Sequence, residues 1–455
     1  LGCAGGRSDA ANISFIDLPS TTFRPVAQFL PIGPPALGKP RLLDARNATN
    51  PGFAFNHKRL PPILQPNDPQ KHGKTQHVIL ASLYFSFPVA IVWSFWAKEP
   101  FMKIAVMPGD GVGKEVVPAG LAVLQQAARK FDFKYSTTDY PFGGEHYLKT
   151  GQTLPDSALK ELAAHDAILF GAVGVDPRGS RQIPQGILET EILLKMRFEL
   201  DQYVNLRPTR LLPGVPSPIR LASPDDVNMV IVRENTEGLY CGNGGFLYKN
   251  TPHEVANQIE VTTRRGVERC IRFAFDYAKR FGRKKVTLVA KTNVLRFAHN
   301  LWLRAFEEVK TDYPGIQTDY HHVDACTMYM VTKPKIYDVI VTTNMFGDII
   351  TDLGAAIQGG MGMAASGNLN PTRQAASMFE PVHGSAPDIA GKNLANPIAT
   401  FFSVAMMLDF LNQSAAAAAI DDACRAVVAD PKNHPRDLGG TATTTQVTEA
   451  VLAKL

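Results

Sequence analysis

From residue 102 onward the sequence predicts an α/β fold with a mostly parallel central sheet. Two observations carry this. Short apolar runs of strand length recur along the chain, and between them lie longer segments whose apolar residues return at helical spacing. A third fixes the opening unit: the apolar run MKIAVM (102–107), the glycine turn PGDGVGKEV and the apolar-periodic VVPAGLAVLQQAARKF read as strand, turn and helix.

Further strands are predicted at AILFGAV (167–173), NMVIVREN (228–235), KVTLVAKTN (285–293) and YDVIVTTN (337–344). Helices are predicted at RGVERCIRFAFDYAKRF (265–281) and HNLWLRAFEEV (299–309). The turn Gly109-x-Gly111-x-Gly113 lacks the G-x-G-x-x-G order that seats a dinucleotide pyrophosphate, so a Rossmann fold is not expected. Glycine's freedom at a tight strand-to-helix turn explains these three residues equally well.

Residues 1–101 are a different kind of sequence. They hold no methionine and 13 of the 33 prolines, and they predict an irregular extension. Translated upstream sequence or a cleaved leader accounts for such a segment, the folded protein then starting at Met102. Within it, 78–97 (VILASLYFSFPVAIVWSFWA) has the length and apolarity of a membrane span, interrupted by Pro88. No membrane association is expected of 102–455.

The formal net charge is +5, but residues 1–101 contain 10 Lys/Arg against 5 Asp/Glu. That leaves 37 basic and 37 acidic residues in 102–455, so a nucleic-acid partner has no electrostatic support. The five cysteines are scattered without C-x-x-C spacing, which reads as reduced thiols in a cytoplasmic compartment.

The strongest chemical signal is N-M-F-G-D-I-I-T-D, where Asp348 and Asp352 fall four residues apart. On a helix both carboxylates share a face and suit a hard divalent cation, Mg²⁺ or Mn²⁺; a solvated acidic face is the alternative. Asp324, in H-H-V-D-A, reads either as a third acid or as a helix N-cap. Arg197, Arg207 (before a proline) and Arg233 (after an apolar strand) lie in settings that suit bidentate capture of carboxylates, with a structural ion pair as the alternative for each taken singly. Tyr240 and Lys291, the latter at a strand end, are candidates for proton transfer.

Taken in order, GDGVGKEV, LFGAVG, LLKMRFELDQYVNLRP, VRENTEG-LY, KTNVL, HHVDA, NMFGDIITDLGAA and EPVHGSAPDIAGKNLANP resemble the 3-isopropylmalate dehydrogenase family, over 102 to about 411 and more loosely to 455. The resemblance implies a two-domain subunit, 102–202 plus 355–455 forming one domain and 203–354 the other, which carries dimer contacts. It implies a small dicarboxylate substrate held by Arg197, Arg207 and Arg233, and a metal held by Asp324, Asp348 and Asp352, with Asp324 also touching substrate. It implies a homodimer with shared sites, in which Lys291 and Asp324 serve the partner's centre and Tyr240 protonates the product carbon.

The same resemblance makes Glu380–Asn396 the cofactor loop, with Glu380, His383, Gly384, Ser385, Ala386, Asp388 and Asn396 binding NAD. Asp388 favours NAD, because a carboxylate accepts hydrogen bonds from ribose hydroxyls and repels a 2′-phosphate. Leu193, Leu194 and Val294 are expected to face the substrate's third substituent, and their apolar character suits an isopropyl group; by pattern alone the two leucines read rather as core. D-malate and tartrate dehydrogenases share many of these motifs and remain the alternative. A non-catalytic scaffold with the same fold is a third reading, opposed by the complete set of expected acids, arginines, Tyr240 and Lys291.

Overall fold

The computed structural model describes residues 101–175 and 182–455. The expectations for 1–100, including the apolar run 78–97, lie outside the described residues. Twelve strands are present among them: β1 (Met102–Gly109), β2 (Tyr135–Asp139), β3 (Ala167–Ala172), β4 (Val204–Arg210), β5 (Asn228–Glu234), β6 (Gly244–Leu247), β7 (Val255–Gln258), β8 (Lys285–Ala290), β9 (Gln317–His322), β10 (Val339–Thr342), β11 (Ala365–Leu369) and β12 (Ser377–Pro381).

Ten of them form one sheet in the order β2-β1-β3-β12-β11-β4-β5-β10-β8-β9, and β6 and β7 form a separate antiparallel hairpin. The sheet is mostly parallel, as expected. Antiparallel pairing is confined to its middle, where β11 and β4 run against each other and against β12 and β5. β2, β1, β3 and β12 thus lie on one side of the β11–β4 pair, and β5, β10, β8 and β9 on the other.

The five strands expected from apolar runs are all found. β4 was not legible because Pro208 stands within it. Pro208 lies opposite Val230, whose N–H is given to Asp338 on the far side, so this is a non-hydrogen-bonded pair. The proline nitrogen therefore faces the flank where β11 has already ended, its pairing with β4 stopping at Leu206.

The two expected helices appear at Arg264–Arg280 and Ala298–Val309. The first starts where the Thr263 hydroxyl accepts the Gly266 N–H, and it buries Val267, Cys270, Ile271, Ala274, Phe275 and Ala278 along one stripe. Helix Ile398–Phe410 lies against β11, β12 and β3 with ten of its residues buried; its nearly unbroken apolar sequence reflects packing on several sides. No helix among the described residues is long and apolar enough to cross a membrane.

Candidate active site

The centre is assembled where β4 and β5 end against helix Asn344–Ile357. That helix starts directly after β10 and carries Asp348 and Asp352 one turn apart, as the spacing predicts. Arg233, on β5, is almost wholly buried. Its Nε and Nη2 donate to Asn344 Oδ1 at 3.1 and 2.8 Å, and its Nη1 donates to Asp348 Oδ1 at 2.5 Å. The helix passes so close that a Cβ on Gly347 would lie 2.3 Å from Arg233 Cγ. Only glycine fits there.

Arg207, on β4, is buried; its Nε reaches Asn205 Oδ1 at 2.6 Å and its Nη1 reaches Thr351 Oγ1 at 2.6 Å. Arg197 pairs through Nη2 with the buried Glu380 carboxylate at 3.0 Å, while its Nε is buried without a partner. Burial, and then repulsion from Arg233 and Arg197, pulls the Arg207 guanidinium down to about 9, so it still carries its charge at neutral pH. Three crowded guanidinium groups with unspent donors make a seat for an anion with several carboxylates.

Tyr240 Oη donates to Asp348 Oδ2 at 2.9 Å, and the Arg233 guanidinium stands 5.3 Å from its ring centre. Burial, then the Asp348 charge and hydrogen bond, raise the Tyr240 hydroxyl above its usual 10.0, so it holds its proton at neutral pH. Burial also works against the Asp348 carboxylate, but Arg233, Arg207 and the bond from Tyr240 outweigh it, and its pKa lies below 3.8. Asp352 is raised above 3.8, by burial first and then by the Asp348 charge. Two hard oxygen donors one helical turn apart, one of them disfavoured as an anion by the other, fit a divalent cation that removes the repulsion.

Lys291 and Asp324 stand apart from this cluster. Lys291 Nζ binds Asp324 Oδ1 at 2.8 Å, which holds the Asp324 carboxyl below its usual value. Asp324 is not an N-cap: helix Val323–Thr332 has His322 at the capping position, and no side chain caps it. Among the described residues no group of three possible metal ligands is gathered within the chain. Val294 is exposed beside Lys291.

The loop after β12 closes on the glycine turn. Val112 donates its N–H to the Ser385 carbonyl at 2.8 Å, and a Cβ on Gly111 would sit 1.9 Å from that oxygen. Gly111 therefore serves close packing against the 380–396 loop, while Gly109 and Gly113 pack against the backbone of Ala172 and Pro108. Glu115 accepts the Gly391 and Asn393 N–H groups at 2.5 and 2.9 Å. His383 Nδ1 lies 3.0 Å from the Gly384 carbonyl, and its Nε2 is buried without a partner. Burial keeps that ring below its usual 6.5. Ala386 has a positive φ of 39°, and Gly384 and Asp388 are exposed. The Asn396 amide is spent on Asp437 at 3.1 Å and the Ile398 N–H at 3.1 Å, under the loop.

Residues 103–451 match the family model described as isocitrate/isopropylmalate dehydrogenase. This chain belongs to the isocitrate/isopropylmalate dehydrogenase family. It is 56% identical over 322 residues to a 3-isopropylmalate dehydrogenase of Clavibacter sepedonicus, covering 71% of this chain and 90% of that one. It is 51% identical over 354 residues to a 3-isopropylmalate dehydrogenase of Thermobifida fusca, covering 78% and 98%. A crystal structure of isocitrate dehydrogenase from Methylococcus capsulatus superposes with a TM-score of 0.69 at 38% identity, covering 78% of this chain and 99% of that one.

In this family member the segment before Arg197 is a π-helical turn, Glu189–Leu194, running into helix Lys195–Glu199. Such turns often mark functional positions. Here it separates two residues the sequence treats alike: Leu193 packs against the apolar core, whereas the half-buried Leu194 belongs to no apolar cluster.

Several site residues were missed by sequence reasoning. Asn344, read only as a strand end, fixes Arg233 and donates to the Glu237 carbonyl at 2.9 Å. Asn368 bridges Asn205 and Glu380, at 2.8 and 2.7 Å. The buried His299 accepts the Lys291 N–H at 2.9 Å, and Asp110 accepts three N–H groups from Gly144, Glu145 and Gly174. Only Asp110, inside the glycine turn, carried a local signal; the others act through contacts far along the chain.

Proposed function

We propose that the chain oxidises (2R,3S)-3-isopropylmalate, with loss of CO2, to 4-methyl-2-oxopentanoate, a step of leucine biosynthesis. The observation that carries this is the convergence of Arg197, Arg207 and Arg233 on the Tyr240–Asp348 pair, with Leu194 half-buried three residues before Arg197. The names of the relatives point to the same substrate.

The Glu380–Asn396 loop would hold NAD⁺, with Asp388 serving its ribose hydroxyls, and bound NAD⁺ would supply the acceptor for the hydride of the hydroxyl-bearing carbon. Asp348 and Asp352, with Asp324 of a second copy, would hold Mg²⁺ or Mn²⁺, which would supply Lewis acidity toward the substrate oxygens. The three arginines hold the carboxylates, and Arg233 in turn fixes Asp348. Lys291 takes the hydroxyl proton as the hydride departs. Once the carbon–carboxylate bond breaks and CO2 leaves, Tyr240, which keeps its proton at neutral pH, delivers it to the resulting carbanionic carbon.

The functional unit is a homodimer in which Lys291 and Asp324 complete the partner's site. The separation of the Lys291–Asp324 pair from Asp348 within one chain supports this. So does a set of exposed apolar residues: Phe246, Leu247 and Val255 on the hairpin, Met328 on helix Val323–Thr332, and Met345 and Ile349 on helix Asn344–Ile357. We place the domain boundaries at 102–202 plus 355–455 and 203–354, meeting at the β11–β4 pair. The described cysteines are all unpaired, which suits the cytoplasm.

The test is NADH formation with Mn²⁺ and each of 3-isopropylmalate, D-malate, tartrate and isocitrate. The highest kcat/KM is expected with 3-isopropylmalate; a preference for D-malate or tartrate overturns the assignment.

A further inference from the structure

The sheet has a second face, and it carries a cavity remote from the chemistry just described. β4 alternates: Asn205, Arg207 and Thr209 meet the substrate-side network, whereas Leu206, Pro208 and Arg210 line a cavity of about 770 Å³ behind the sheet. β11 repeats the pattern, with Ser366 and Asn368 in the polar network and Ala365 and Leu369 on the cavity. The volume is that of a small-molecule site. Its walls are aromatic and aliphatic: Phe273 and Phe281 on one side, Phe402 and Met406 on the other, with Phe379 and Leu206 from the sheet.

Four arginines reach this apolar surface, and their charges are not evenly met. Arg210 binds Asp421, Arg280 binds Asp409 at 3.1 Å, and Arg283 binds Asp338 at 3.0 Å. Both carboxylates that line the cavity, Asp409 and Asp421, are therefore already taken, and Asp421 also accepts from Arg425 at 2.6 Å. Arg373 is different. Its Nη2 donates only to neutral oxygens, the Phe410 carbonyl and Asn412 Oδ1, and among the described residues it has no carboxylate partner. It lies exposed with its guanidinium carbon 4.8 Å from the Phe410 ring centre, at the edge of the apolar wall.

We propose that this cavity is a second ligand site, for a small amphipathic monocarboxylate whose carboxylate meets Arg373 and whose hydrocarbon lies along the aromatic walls. One unmatched cation calls for one negative charge, and the lining calls for hydrocarbon. The substrate of the reaction, with two carboxylates and a hydroxyl, does not suit these walls.

Calorimetric titration of the full chain with octanoate tests the proposal, with 1-octanol as the uncharged counterpart and saturating 3-isopropylmalate as a competitor. Octanoate is expected to saturate one site per chain and not to be displaced by 3-isopropylmalate. Arg373→Gln should weaken octanoate by about tenfold, the loss of one charge-assisted contact, and leave 1-octanol unchanged. Ala418→Trp places an indole in the cavity from an exposed lining position and should weaken both ligands. Absence of saturable octanoate binding, displacement by 3-isopropylmalate, or equal effects of Arg373→Gln on acid and alcohol would each overturn it. Circular dichroism of each variant confirms the fold before titration.

Discussion

Replacing Gly347 by alanine tests the central arginine with a single methyl group. The new Cβ would stand 2.3 Å from Arg233 Cγ and 2.6 Å from its Cβ, against an ordinary carbon–carbon contact of roughly 3.5–4.0 Å. The atoms in the way are the root of a buried side chain, so Arg233 has to shift by about 1 Å or more, which pulls its guanidinium off Asn344 and Asp348. Alanine is favoured over glycine in a helix by about 1 kcal/mol, and overpacking costs about 1–3 kcal/mol, so the net change in stability is small. Catalysis has no such offset. Misplacing one charge-assisted contact to a substrate carboxylate, at about 1.5–3 kcal/mol, lowers kcat/KM for 3-isopropylmalate by roughly 10- to 150-fold. The assay is NADH formation at saturating Mn²⁺ and NAD⁺, with a thermal melt alongside. A variant whose kcat/KM stays within about threefold of the parent would refute the placement of Arg233 on the substrate.

Asp348 and Asp352 should respond to pH in opposite senses. Asp348 has a folded pKa below 3.8, so its pairing stabilises fully above that value and is lost as pH falls through the folded value. Asp352 is raised, so its charge opposes folding at neutral pH: Asp352→Asn should raise the Tm of metal-free protein at pH 7 and abolish most of the rise that Mn²⁺ produces. A lower metal-free Tm, or an unchanged response to Mn²⁺, contradicts this. Leu194→Ser should cut the preference for 3-isopropylmalate over D-malate by about tenfold, whereas Leu193→Ser should act mainly on Tm because that residue packs against an apolar core cluster; equal behaviour of the two would remove Leu194 from the pocket. Asp388→Asn should lower the kcat/KM ratio of NAD⁺ to NADP⁺ by about tenfold, and an unaltered ratio would take Asp388 off the ribose.

The sequence by itself determined the fold class and marked the acids, arginines and tyrosine that the structure gathers at the candidate site. Buried parallel strands must be apolar along their whole length, so β1, β3, β5, β8 and β10 were readable from local composition, as was the helical spacing that puts Asp348 and Asp352 on one face. The Arg197, Arg207 and Arg233 settings were legible too. The tertiary structure decided what depends on pairing across the chain. β4 and β11 are interrupted by polar residues, because their side chains Asn205, Arg207, Ser366 and Asn368 satisfy one another in a buried network between distant segments, which no local pattern reveals. Gly347 looked like any helical glycine until Arg233, 114 positions earlier in the chain, was found lying across it. Leu193 and Leu194, both half-buried, looked alike until the fold packed one against an apolar cluster and left the other outside every cluster. Periodicity fixes which face of an element is apolar, but the partner on that face, and hence the work each residue does, is set by contacts between residues far apart in the chain.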